Sequence, residues 1–230
     1  MKNRTLVLLH GFKKNGVDDF LQLYDFFKTL DYENIYNEDW FDTYDKSTLN
    51  KRHVRKYVDD FCERLNKENY SQIDIIGYST GSIVAVMIKE KLKCKNVKIF
   101  SIVPPIKIKF SKWIPVAIKS YKAKRRLKKK LGSERYKRIR EISKRERILE
   151  KHALKITIFI NNLRLAYRSK FLKEKNIIFL LAENDEFIKT QSIKKILSKK
   201  NKKFITEDFS HTNILTKEKE IFINWYNKNI

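Results

Sequence analysis

The sequence predicts an α/β protein: a doubly wound, mostly parallel sheet of about six strands with helices on both faces. Three observations predict it. Short aliphatic runs alternate along the chain with stretches in which apolar residues recur at helical spacing. The runs are continuously apolar, as in strands covered on both faces. A single long stretch, 104–175, interrupts the alternation without any strand signal of its own.

Taken in order, Thr5–Leu9 is an aliphatic run closed by His10-Gly11, which reads as a buried strand ending in a turn. From Val17 to Leu30 the apolar residues Phe20, Leu21, Leu23, Tyr24, Phe27 and Leu30 follow helical spacing. Asn34–Tyr36 is a candidate second strand, followed by an acidic loop from Glu38 to Asp42. Ser47–Asn66 predicts a helix with Leu49, His53, Tyr57, Phe61 and Leu65 along one face. Gln72–Ile76 is a strand, Gly77–Gly81 a turn and Ser82–Leu92 a helix. Val97–Val103 and Asn176–Ala182 are further strands, Thr190–Leu197 a helix, Lys203–Thr206 a short strand and Lys217–Asn227 a closing helix. The expected organisation is a core of residues 1–103 and 176–230, with 104–175 inserted as a basic helical cap. All three prolines stand at the entrance of that cap, where the chain leaving the sheet must be redirected. Within it Ile156, Phe159, Ile160, Leu163 and Tyr167 form a helical stripe that must bury against something.

Composition narrows the function classes. Hydrophobic residues make up 42% of 230, enough for a real core and against disorder. No apolar stretch approaches the roughly 20 residues of a membrane span, and Leu6–Leu9 is too short for a signal sequence. A soluble, cytoplasmic protein is expected. Cys62 and Cys94 lie in helix-like surroundings without metal-ligand spacing, so two reduced, buried thiols and no metal site are expected. Net charge is +25, concentrated in 104–175, which holds 25 Lys and Arg against 5 Asp and Glu.

The chemistry centres on Gly77-Tyr78-Ser79-Thr80-Gly81. This G-x-S-x-G follows a predicted strand and opens a predicted helix, the setting in which a strained turn exposes a nucleophilic serine. A serine hydroxyl needs a base and a third group to orient that base. Asp185 follows the strand after the cap, and His211 lies between the last strand and the last helix. Among four histidines, His53 falls on a helix face and His152 in the cap, and His10 adjoins Gly11, which leaves His211 as the base. Asp185 is the best-placed acid, with Glu183 and Asp208 as alternatives.

These stretches, Leu6–Phe12, Ile76–Ser82, Ala182–Ile188 and Ser210-His211, resemble the α/β-hydrolase superfamily of serine esterases and lipases. The resemblance spans nearly all of the chain outside the cap. It implies an α/β-hydrolase sheet lacking the family's first two strands. It also implies backbone N–H donors at Phe12 and Thr80 for an oxyanion, with His10 structural and Gly11, Gly77 and Gly81 as motif glycines. The implied reaction is cleavage of a small-molecule carboxylic ester or thioester through an acyl-enzyme on Ser79, with no cofactor and no metal.

The basic cap leaves several readings open. Its charge, densest from Lys119 to Lys130, reads as a solvated helical face or as a surface for an anionic lipid or a phosphorylated acyl carrier. The latter suits a lysophospholipase or acyl-thioesterase. No nucleic-acid recognition motif accompanies the charge. The alternative of another class is a non-catalytic binding module on the same fold.

Overall fold

The computed structural model describes residues 3–11, 16–41, 50–108, 129, 132, 147–200, 202–211 and 213–230. The densest part of the basic run, apart from Lys129, and the oxyanion candidate Phe12 therefore lie outside the described residues, as do the side chains of residues 147–157.

Six strands form one parallel sheet: β1 (Arg4–Leu9), β2 (Asn34–Glu38), β3 (Gln72–Tyr78), β4 (Val97–Ile102), β5 (Ile177–Ala182) and β6 (Phe204–Glu207). Their order is β2-β1-β3-β4-β5-β6, every neighbouring pair parallel. The helices are α1 (Tyr24–Lys28), α2 (Lys51–Lys67), α3 (Gly81–Lys89), α4 (Arg147–Lys173), α5 (Thr190–Ser198) and α6 (Lys219–Asn227).

The period of two along each strand splits the core into two layers. Val7, Leu9, Ile73, Ile75, Ile99, Phe179 and Leu181 face α2, α3, α4 and α5. Leu6, Leu8, Ile76, Phe100, Ile102 and Leu180 face the other side, where α6 contributes Phe222, Trp225 and Tyr226. The stripe on the inserted stretch finds its partner here. Phe159, Ile160 and Leu163 of α4 are buried in the first layer, and Phe171 packs on Phe179 of β5. Two ion pairs, Lys89–Glu174 and Lys170–Glu90, tie α4 to the end of α3.

Three local differences from expectation have physical causes. The segment after Gly16 is a 3₁₀ helix through Leu23 before α1 begins. Three residues per turn set Phe20 directly under Leu23, and both are buried. His53 is only half-buried, because α2 starts at Lys51, where Asn50 caps the helix by accepting from the His53 N–H at 2.8 Å. The helix α3 stops at Lys89, so Cys94 lies in the connection to β4 and is half-exposed rather than buried.

An acidic side chain is fully buried within the sheet. Asp74 in β3 accepts from Arg4 Nη2 at 3.1 Å, from the Tyr32 hydroxyl at 2.5 Å and from Gln72 Nε2 at 3.0 Å. Tyr32 in turn meets the Tyr226 hydroxyl of α6. Burial, reinforced by the adjacent carboxylate, pushes both phenols well above their ordinary pKa. The cluster clamps the last helix to β1 and β3 at the end of the sheet away from the strand carboxyl termini.

Removing the carboxylate strands a partly buried arginine and two hydroxyls. Asp74→Ala is expected to lower unfolding free energy by about 3 kcal/mol, read as a shifted urea midpoint. The two thiols should also differ. Burial pushes Cys62 up to about 12, so a disulfide reagent is expected to label Cys94 in the folded protein and Cys62 only on unfolding.

Candidate active site

The strand order reverses between β1 and β3, since β2 lies on one side of β1 and β3 on the other. In open parallel sheets the crevice beyond the strand ends at such a reversal is where ligands bind. His10-Gly11 ends β1 there, and Ser79 follows β3.

The turn around Ser79 is built by close approach. Ser79 has a φ of 49°, a left-handed conformation that an ordinary residue holds only under constraint. Its N–H donates to Ile102 O at 2.8 Å, and the Ser82 hydroxyl donates to Gly77 O at 2.6 Å. A Cβ on Gly77 would stand 2.5 Å from Ser82 Cα, and one on Gly81 would collide with the carbonyl oxygens of Leu9 and His10. Both glycines are thus required by the packing of α3 against the strand ends. Helix α3 is buried from Gly81 to Ile88 and points its amino end at the turn. The first N–H groups of such a helix lack carbonyl partners one turn back and carry partial positive charge. Thr80, 1% exposed, sits at that end.

The other two strand ends bring in an acid and a base. Asp185 follows β5 and is 1% exposed; its Oδ1 accepts from the Phe187 and Ile188 N–H groups, each at 2.7 Å. That Asx-type turn leaves Oδ2 for His211 Nδ1, 2.7 Å away. His211 Nε2 lies 3.3 Å from Ser79 Oγ. The imidazole faces the rings of Tyr78 and Phe187. A ring with its Nδ1–H on a carboxylate presents Nε2 as an acceptor, the orientation needed to take a proton from a hydroxyl.

Ser79, Asp185 and His211 therefore come together, from positions 132 and 26 residues apart along the chain. The competing acids do not reach the histidine: Glu183 bonds to Gln191 and Lys194, and Asp208 is exposed. His10 is occupied elsewhere. It is fully buried, stacked on Trp40, with Nε2 2.9 Å from Asp39 and Nδ1 2.6 Å from Gly11 O. The hydrogen bond from His10 holds the Asp39 carboxyl below its ordinary range. Gly11 lies against the Tyr78 ring, its N–H 3.3 Å from Asp19. Among the described residues no cluster of His, Cys, Asp and Glu could hold a metal ion, and no helix is long and apolar enough to cross a membrane.

Sequence reasoning missed the groups that hold the histidine. The Tyr78 hydroxyl donates to His211 O at 2.5 Å, Glu186 accepts from the His211 N–H at 3.3 Å, and Glu218 accepts from the Ser210 N–H at 3.0 Å. Tyr78 stands inside the glycine motif and Glu186 beside the acid, so adjacency to the motifs was the available signal.

A parallel six-stranded sheet with a strained serine turn at its reversal point, faced by an Asp–His pair, defines an α/β hydrolase. Residues 3–221 match the family described as Lipase (class 2), and the chain belongs to that family. It is thus a hydrolase of the lipase and esterase kind. Similar solved structures include a lipase-esterase related protein from Clostridium acetobutylicum, 16% identical, with a TM-score of 0.58 over 99% of this chain and 94% of that one. An esterase from Exiguobacterium antarcticum is 12% identical, with a TM-score of 0.58 over 99% and 91%. A marine microorganism esterase is 15% identical, with a TM-score of 0.54 over 100% and 96%. At these identities the likeness is one of fold. No curated protein sequence matches the chain.

The bond from Tyr78 to His211 O is buried. Tyr78→Phe is expected to cost about 1 kcal/mol of stability, read from urea unfolding. An unchanged midpoint would mean that this bond does not hold the histidine loop.

Proposed function

We propose that the chain is a serine carboxylic ester hydrolase acting through an acyl-enzyme, with Ser79 as nucleophile, His211 as general base and Asp185 as the acid that orients it. The observation that carries this reading is the continuous path from Asp185 Oδ2 to His211 Nδ1 at 2.7 Å and from His211 Nε2 to Ser79 Oγ at 3.3 Å. In a free enzyme the second of these bonds is commonly loose and tightens around substrate.

Ser79 Oγ attacks the ester carbonyl carbon as His211 Nε2 takes its proton, and Asp185 stabilises the imidazolium. The oxyanion lies against the Thr80 N–H at the amino end of α3, with Phe12 as the second donor. Collapse breaks the bond to the leaving alcohol, which departs with the His211 proton. Water then attacks the acyl carbon, its proton passing to His211 and on to Ser79 as the carboxylic acid is released. We assign 1–103 and 176–230 to the hydrolase core and 104–175 to the inserted part that selects substrate. A second reading, cleavage of lysophospholipids or acyl-thioesters, is favoured by the charge of that insertion, 25 Lys and Arg against 5 Asp and Glu.

Ser79→Ala is expected to lower kcat on p-nitrophenyl esters by roughly 10⁴–10⁶-fold while leaving the fold intact. A fluorophosphonate should label Ser79 in the folded protein alone. Absence of labelling would favour a non-catalytic binding module. Rates on a panel of esters of rising acyl length, with an acyl-coenzyme A and a lysophospholipid included, separate the two substrate readings. For the second, raising salt from low to physiological strength should raise KM steeply for the anionic substrates only.

A further inference from the structure

The insertion is fastened to the turn that carries Asp185. The chain leaves β4 through Val103, whose φ of 41° is strained for a β-branched residue, and then through Pro104-Pro105. Residues 104–108 next cross to the far side of the acid turn. There Ile108 and Ile188 form an antiparallel bridge, and the Lys189 N–H donates to Lys107 O at 2.9 Å. The Ile188 N–H is one of the two donors that fix Asp185 Oδ1. Ile106, Ile108 and Ile188 are all buried, so this small ribbon is seated rather than splayed.

One side chain holds the strap from behind. Arg164 of α4 donates from Nη1 to Ile106 O at 3.0 Å, while its Nε and Nη2 both donate to Asn161 Oδ1, at 3.2 and 2.7 Å. A guanidinium gripped on one edge by an amide has its other edge aimed in a fixed direction. Arg164 has no carboxylate partner among the described residues. Burial, with Arg168 one helical turn away, lowers its pKa.

We propose that Arg164 is a positioning residue for ester cleavage: by pinning the strap 104–108 to residues 188–189, it holds the Asp185 carboxylate at His211. The inference rests on the reading of Ser79, His211 and Asp185 as the catalytic set. The insertion then has two parts to play, because its first five residues and α4 brace the acid whatever the remainder does with substrate.

The test is a double-mutant cycle on hydrolysis of p-nitrophenyl butyrate, with Arg164→Ala and Arg164→Lys made in the wild-type and Asp185→Asn backgrounds. Arg164→Ala is expected to lower kcat about tenfold with KM within twofold, because only the orientation of the base changes. A loosened acid stabilises the imidazolium less, so the acid limb of the kcat/KM profile should move to lower pH. Arg164→Lys should recover part of kcat by restoring one donor to Ile106 O. In Asp185→Asn, Arg164→Ala should change kcat by less than twofold. Multiplying losses in the double variant, or a raised KM with kcat unchanged, would overturn the inference. If Arg164→Ala does not fold, Asn161→Ala carries the same cycle, since it frees the guanidinium from the amide that aims it. Failure of the underlying catalytic reading has a different signature, undiminished turnover in Ser79→Ala.

Discussion

The arrangement depends on one close approach, that of the first turn of α3 to the end of β1. Gly81 is pressed so near the Leu9 and His10 carbonyls that no side chain fits. The helix therefore begins almost on top of the strand end, and the preceding turn has no room to relax. Ser79 is left with a positive φ, a strain of about 1–3 kcal/mol. Burial of α3 more than offsets it. Ile83, Val84, Val86, Met87 and Ile88 are all within the core, and each such side chain contributes about 1.5–3 kcal/mol. Ser79 is held by hydrophobic packing of the whole helix rather than by contacts of its own side chain.

The acid and the base are held differently. Their loops follow β5 and β6, toward one edge of the sheet. Hydrogen bonds do the positioning instead: two N–H donors on Asp185, the Tyr78 hydroxyl on His211 O, and Glu186 on the His211 N–H. Tyr78 belongs to the serine turn yet fixes the His211 backbone. A displacement of the serine turn would therefore carry the histidine backbone with it. That coupling keeps Ser79 and His211 in register, although their separation of 3.3 Å leaves room for the bond to tighten.

Legibility followed the range of the interactions that decide each feature. Strand runs such as Leu6–Leu9 and Phe179–Ala182 were readable because burial on both faces demands continuous apolar residues. Gly77 and Gly81 were readable because a local steric demand admits only one residue type. Asp185 and His211 were singled out by their place after strands, and only long-range geometry sets Asp185 rather than Glu183 against His211. The supporting groups that lie away from the motifs were not readable at all. Glu218 and Arg164 act across folds of the chain that no local pattern encodes, and an arginine on a basic stretch looks like one more solvated cation. Cys94 was misplaced for a smaller reason, since the apolar pattern of α3 runs past the point where the helix stops.

Two kinds of positive charge in this chain work over different distances. In the proposed mechanism the oxyanion is met by backbone donors, which act at about 3 Å inside a water-poor crevice and stabilise the transition state directly. The cations of 104–175 belong to a stretch that leaves the sheet beside β3, at the end of β4, and between charges exposed to water their influence fades over about 8 Å at physiological salt. Such charges act on encounter and on ground-state binding of an anionic ligand, terms that salt weakens. In that mechanism they leave the chemical step to Ser79, His211 and Asp185. Arg164 belongs with neither group. Its guanidinium is turned onto the Ile106 carbonyl, and in the proposal above this stretch contributes one cation to the rigidity of the site.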